Sequence, residues 1–261
     1  MNETTPVSDG YSNSADAWRR GPARIYDRLA IALVERIEPV RGKTALDVGA
    51  GTGAASAALM LAGARVVAVD VAPGMLEYER SKRPPCVVAD AVALPFRDGA
   101  FEIVVAAFSL NHLTQPALGL REAARVTRRG GIVVASAYAA DDDHPAKQAA
   151  HSVAAELGWR SATWWRRLRE DAMPKLATVE RAVRETLAAG ISATVEPRQV
   201  RFPELDAPSL IEWRLGMADL APFVTSLAPA ARVELLSRAV EQMGSDYPML
   251  VRRMIVITAA V

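Results

Sequence analysis

The chain has 261 residues, enough for one large α/β domain with an insertion, and 51% of them are hydrophobic. With 31 basic against 30 acidic residues the formal charge is +1, so no overall field attracts nucleic acid or an anionic membrane. One cysteine, Cys86, excludes an intrachain disulfide; no run approaches the roughly 18 apolar residues of a membrane span, and the N-terminus lacks a signal-peptide pattern, so a cytoplasmic protein is expected.

Residues 1–14 are polar and predict a flexible tail, or a segment that orders over a ligand. Between Trp18 and Ile37 the apolar residues Ile25, Leu29, Leu33 and Ile37 recur at helical spacing, describing one amphipathic helix before Arg41-Gly42-Lys43. Apolar runs then alternate with helical patterns, predicting strands near 44–48, 65–70, 86–89, 101–107 and 131–138, with helices starting near Thr52, Pro73 and Pro116. Cys86 is expected in the core. Arg128 and Arg129 before Gly130-Gly131 read as the basic last turn and glycine stop of the third of these helices. Asp141-Asp142-Asp143-His144-Pro145 reads as a solvated break, and helical sequence follows to about Ala189. Extended runs return at 194–202 and 250–260, separated by helical stretches near 208–224 and 229–243.

The segment Ala45-Leu46-Asp47-Val48-Gly49-Ala50-Gly51-Thr52-Gly53 is an apolar strand that ends near an acid and breaks into alternating glycines. Glycine reaches positive φ at little cost and lets backbone approach a ligand, while the next helix offers unpaired N–H groups. Gly49, Gly51 and Ala54 also satisfy a relaxed dinucleotide fingerprint, with Asp70 as the acid about 20 residues further on. Asp47 separates the readings: an acid before the first glycine receives a cationic amino group and repels a pyrophosphate. Asp90, in Val88-Ala89-Asp90-Ala91, adds a third acid after the next strand.

Over residues 15–140 these motifs, in this order, resemble the class I S-adenosylmethionine-dependent methyltransferases, particularly the small-molecule branch of ubiquinone/menaquinone-type and natural-product enzymes. The resemblance implies an α/β, Rossmann-like, doubly wound seven-stranded sheet, mostly parallel with an antiparallel last strand, and an inserted helical cap between strands 5 and 6. It divides the chain into a tail (1–14), a cofactor-binding core (15–140), a cap (141–192) and C-terminal elements (193–261) that complete the sheet and substrate pocket. It implies that Asp47, Gly49, Gly51 and Gly53 hold the methionine part of S-adenosylmethionine, that Asp70 binds the ribose, and that Met75 packs on the adenine. Asp90 and the Ala91 amide would meet the adenine amino group, with Phe108 nearby. S-adenosylhomocysteine would be the product.

Phe108-Ser109-Leu110-Asn111-His112 follows the fourth strand, where such sheets place ligand-binding residues. His112 is a candidate general base, set against a structural role, and Asn111 either orients substrate or caps a turn. The same position lacks the Asn/Asp-Pro-Pro-aromatic tetrad of base-modifying methyltransferases, which argues against nucleic acid. Trp164 and Trp165 fall with Leu157, Leu168 and Ala172 largely on one helical face, as a core or pocket wall. Tyr11, Trp18, Tyr138, Trp213 and Met217 are further candidates for an apolar substrate wall. His144 and His151 beside the three aspartates lack metal-ligand spacing, so no metal is expected. The expected activity is O-, N- or C-methylation of a small, partly hydrophobic molecule, with bacterial secondary metabolism as the expected setting, by a monomer or homodimer without nucleic-acid or membrane partners. Two alternatives stay open: a cofactor-retaining enzyme that performs cyclisation or another non-methylating step, and an NAD(P)-dependent oxidoreductase.

Overall fold

The computed structural model describes residues 7–37 and 39–261. Seven strands, β1 (Thr44–Val48), β2 (Arg65–Asp70), β3 (Cys86–Val88), β4 (Phe101–Ala107), β5 (Thr127–Tyr138), β6 (Thr194–Phe202) and β7 (Leu250–Ala260), form one sheet in the order β3-β2-β1-β4-β5-β7-β6. β7 is antiparallel to both neighbours, so β6 points the same way as β1–β5 and only the last strand is reversed, as expected.

Alternate residues of each strand feed opposite cores, because successive side chains leave a strand on opposite faces. Ala45, Ile103, Val105, Val134 and Val256 join one core; Leu46, Val104, Val133, Ala135 and Ile257 join the other. The first is covered by α3 (Ala23–Val34), α4 (Ala54–Leu61), α7 (Pro145–Glu156), α10 (Ala207–Leu215) and α12 (Pro229–Met243), the second by α6 (Pro116–Val126) and α9 (Val179–Ala189). The remaining helices are α1 (Val7–Ser12), α2 (Ala15–Arg20), α5 (Pro73–Glu77), α8 (Thr163–Arg167) and α11 (Ala221–Ser226). No helix among the described residues is long and apolar enough to cross a membrane.

Five local expectations are corrected. The helix expected over 18–37 is broken at Gly21-Pro22 into α2 and α3; a Cβ on Gly21 would lie 2.4 Å from the Glu212 carbonyl oxygen, so the break lets α10 approach the backbone. The described part of the tail, from Val7 onward, is helical, and residues 1–6 lie outside the described residues. Arg128 and Arg129 do not end a helix: α6 stops at Val126, β5 begins at Thr127, and Arg128 pairs with Glu102 at 2.8 Å beside a register shift between β4 and β5. Cys86 is half-buried, because β3 is the edge strand. The Asp141–His144 segment is not simply solvated: Asp142 and His144 are buried, and the His144 ring accepts from Ala146 N at 3.2 Å to cap α7.

Within the insertion, Leu157 joins the sheet-side core, whereas Trp164, Trp165, Leu168 and Ala172 form a separate cluster with Val7 and Tyr11. The separation follows from the chain leaving α7 at Glu156 and restarting at Thr163, so no single helical face spans 157–172. Here α8 continues through a π-helical turn, Leu168–Ala172, that packs the insertion against α1.

Candidate active site

The turn after β1 holds positive φ at all three glycines: +68° at Gly49, +52° at Gly51 and +99° at Gly53. Gly49 has a second reason to be glycine, since a Cβ there would sit 2.2 Å from the Ser109 Cβ. That contact brings the ends of β1 and β4 together, and Ser109 Oγ donates to the Val48 carbonyl at 2.6 Å. Behind the turn, Arg83 Nη1 donates to the carbonyls of Gly51 at 2.7 Å and Met75 at 2.8 Å, fastening the glycine turn to α5. No motif marks Arg83 in the sequence; its role arises only when the 3₁₀ turn before β3 folds under the loop.

Two acids face this turn from different strands, Asp47 buried and Asp70 half-buried. Asp47 is 1% exposed and accepts from Ser56 Oγ at 2.6 Å, yet burial pushes its pKa up to about 6. Asp70 accepts from Gly51 N at 2.7 Å and Ala72 N at 2.8 Å. Burial raises its pKa too, outweighing these bonds and the nearby Arg83 charge. Asp90 is exposed after β3 and accepts from Val92 N at 3.0 Å.

These groups open onto a cleft of about 370 Å³, within the range of small-molecule sites. Asp47, Gly49, Gly51, Asp70, Met75, Asp90, Ala91 and Phe108 line it, whereas Gly53 lies behind the wall, 3.3 Å from the Arg83 guanidinium when a Cβ is built on it. Tyr11, Trp18, Tyr26 and His112 form an aromatic side. α1 therefore supplies part of the wall, and Ser12 Oγ accepts from Gly74 N at 3.2 Å to hold it over α5. His112 Nε2 lies 3.4 Å from Tyr11 Oη, and burial lowers the imidazole pKa to about 4, so the ring is neutral at physiological pH.

Other residues expected in the substrate wall do not line this cleft. Asn111 is buried in the turn after β4; Trp164 and Trp165 belong to the cluster against α1; Met217 is in the sheet-side core. Tyr138 stacks on Phe108 at 4.3 Å, one ring behind the cleft, and Trp213 is buried deeper still. The physical reason is common to the five other than Asn111: their apolar area is satisfied by core contacts, which a helical or strand periodicity does not distinguish from a ligand wall.

Residues 46–135, which run from β1 to β5 and contain every acid and glycine described above, match the methyltransferase domain family. The chain carries a methyltransferase domain over these residues. It is 43% identical over 109 residues to a demethylmenaquinone methyltransferase of Clavibacter sepedonicus, covering 40% of this chain and 44% of that one. It is 38% identical over 138 residues to a malonyl-[acyl-carrier protein] O-methyltransferase of Halorhodospira halophila, covering 47% of each. The chain thus spans about half the length of the curated relatives it matches. The Haemonchus contortus phosphoethanolamine N-methyltransferase 2, solved with phosphomonomethylethanolamine and S-adenosylhomocysteine, shares the fold at a TM-score of 0.55 and 20% identity, over 89% of this chain and 52% of that one.

Proposed function

We propose that the chain transfers the methyl group of S-adenosylmethionine to an oxygen, nitrogen or carbon of a small, partly apolar molecule, with S-adenosylhomocysteine as product. The observation that carries this reading is the convergence of two carboxylates from adjacent strands, the buried Asp47 and the half-buried Asp70, on one glycine turn. The donor set fits the cofactor. Each Asp70 oxygen accepts one backbone N–H and, as a carboxylate oxygen, has a further acceptor site for a ribose hydroxyl. Asp47 sits where a protonated α-amino group meets a carboxylate in a dry setting, and Met75, 2% exposed, offers an apolar face to the adenine. Asp90 and Ala91 complete the adenine side.

When bound, the sulfonium supplies a methyl carbon already activated by its charge, so the residues around it need chiefly to align and to exclude water. Alignment alone is worth up to roughly 7–11 kcal/mol in well-oriented reactions. Tyr11, Trp18, Tyr26 and Phe108 exclude water on the acceptor side. His112 is neutral and has one ring nitrogen free to accept a proton, but a pKa of about 4 makes it a weak base, suited to an acceptor whose proton is already acidic or absent. The near-balanced charge supports a small-molecule acceptor over nucleic acid, and we place the enzyme in the cytoplasm as a monomer or homodimer.

The test is calorimetric titration with S-adenosylhomocysteine and with NAD⁺, followed by incubation with methyl-tritiated S-adenosylmethionine and a small-molecule panel. Micromolar binding of S-adenosylhomocysteine, no NAD⁺ binding and label in the organic product are expected. NAD⁺ binding alone refutes the cofactor assignment. Conversion of an acceptor without label transfer refutes methyl transfer and favours the cofactor-retaining alternative.

A further inference from the structure

Behind the aromatic side of the cleft, buried hydrogen-bonding groups are left without partners. Trp213 is 1% exposed, with the Arg252 guanidinium 4.7 Å and the Arg214 guanidinium 5.2 Å from its ring. Arg252 also lies 3.9 Å over the ring of Tyr138, which stacks on the cleft-lining Phe108. The cations are therefore one aromatic layer from the proposed site. Arg252 forks onto Asp142 at 3.0 and 2.8 Å, and Lys147 reaches the same carboxylate at 3.1 Å. Asp219 is held by His151 Nε2 at 2.8 Å, while Arg214 comes no nearer to it than 3.9 Å. Lys147 also lies 3.8 Å from the exposed Asp143, which leaves Arg214 as the cation of this group with the loosest carboxylate partner.

Arg214 Nε and Arg252 Nη1 are buried without an acceptor, as is Trp213 Nε1, and Asp219 Oδ1 is buried without a donor. Buried donors and acceptors are ordinarily paired, since an unmade hydrogen bond leaves their desolvation uncompensated. Unused cationic donors in an aromatic setting are matched by an anionic oxygen on a flat body, and the unused Asp219 oxygen by a hydroxyl or amine hydrogen on the same molecule.

We infer that the methyl acceptor is a planar organic anion, an aryl carboxylate or its enolate or phenolate equivalent, whose charged oxygen is received by Arg214 and Arg252 beyond the Phe108–Tyr138 layer. This rests on the methyltransferase reading and adds the sign and shape of the acceptor. Tyr138 and Tyr26 meet edge-on at 6.0 Å and separate the cleft from the guanidinium pair, so admission of the anion requires these rings to turn. An acceptor already ionised in solution also needs no strong base, in keeping with His112.

The full chain saturated with S-adenosylhomocysteine is titrated calorimetrically at pH 7.5 with size-matched pairs: benzoate and benzamide, 4-hydroxybenzoate and its amide, 2-naphthoate and 2-naphthamide. In at least one pair the carboxylate is expected to bind tenfold or more tightly than the amide. Arg214→Gln is expected to cut that preference below threefold while leaving S-adenosylhomocysteine affinity unchanged. A preference under tenfold in every pair, including no binding by any probe, overturns the inference, and this comparison stands on the wild type even where the variant fails to fold. Failure of S-adenosylhomocysteine itself to bind overturns the methyltransferase reading as well, and is seen before any probe is added.

Discussion

Acidification from pH 7 to pH 5 separates the two halves of the proposed cofactor contact. Burial holds the Asp47 carboxyl at about 6, more than the Ser56 hydrogen bond and the Arg83 charge can offset. An acid with that pKa is about 90% ionised at pH 7 and about 9% at pH 5. The form able to receive a protonated amino group therefore falls about tenfold, and the Kd of S-adenosylhomocysteine should rise about tenfold, or about 1.4 kcal/mol. 5′-Methylthioadenosine has the adenosine part but no amino acid, so its affinity follows Asp70 and Asp90 without Asp47. Calorimetry with both ligands at pH 7, 6 and 5 gives a ratio that isolates Asp47. Asp47→Asn keeps a partner for Ser56 but cannot titrate, and should flatten the ratio. A ratio independent of pH in the wild type, or a slope retained in Asp47→Asn, would falsify the assignment. Stability should move the opposite way. Because the folded pKa is raised above the unfolded value of 3.8, the contribution of Asp47 is fully present below that value and is lost as pH rises through about 6. The loss is roughly 3 kcal/mol, so Asp47→Asn should melt higher than wild type at pH 8 and not at pH 4.

Three further outcomes follow from the same geometry. Asp70→Ala removes the acceptor of Gly51 N and Ala72 N together with the proposed ribose partner, and should raise the Kd of S-adenosylhomocysteine at least about tenfold, given about 1.5–3 kcal/mol per charge-assisted bond; an unchanged isotherm contradicts the role. Gly49→Ala places a Cβ 2.2 Å from Ser109 at a φ of +68°, whereas Gly51→Ala meets nothing within 4 Å at +52°. Urea unfolding should show a loss of about 3 kcal/mol or more for the first and about 1–2 kcal/mol for the second, and equal losses would remove the close-approach argument. His112, held at about 4 by burial, should stay neutral in nitrogen-15 NMR titrations down to about pH 5. A midpoint near 6.5 would show that its ring is solvated.

The donor half was legible because its signals are local. The Asp47-to-Gly53 turn needs positive φ within a few residues, and Asp70 ends a strand that pairs directly with β1, so sequence order alone brings them together. Strand limits followed the apolar runs closely, as for Thr194–Phe202 and Leu250–Ala260, where long extended segments stand between helices with clear stops. Predictions failed where a distant segment decided the local form. The break at Gly21 answers to the Glu212 carbonyl, and the 127–131 stretch extends β5 instead of ending a helix because Thr127 pairs with Phe101 of β4 and Gly130 and Gly131 bond to Val261. Arg83 reads as one more surface cation until the turn before β3 carries it beneath Gly51.

The acceptor half was illegible for a different reason: its polar contacts join residues from the insertion to residues of the last strand and of the helices before it. Asp142 meets Arg252, His151 meets Asp219, and the Trp159 indole donates to the Asp219 carbonyl at 3.0 Å. In the sequence, Asp142 sits among three acids before a histidine and a proline, a pattern that solvation explains fully. Burial reverses that meaning, since Arg252 then draws the Asp142 carboxyl below its ordinary value against the effect of desolvation. A bidentate buried pair of this kind ties the first residues of the insertion to β7 and fixes how deep the cations lie behind Tyr138. The motifs of 46–135 name the donor, while the proposed acceptor contacts join segments that flank β6, each ordinary when read alone.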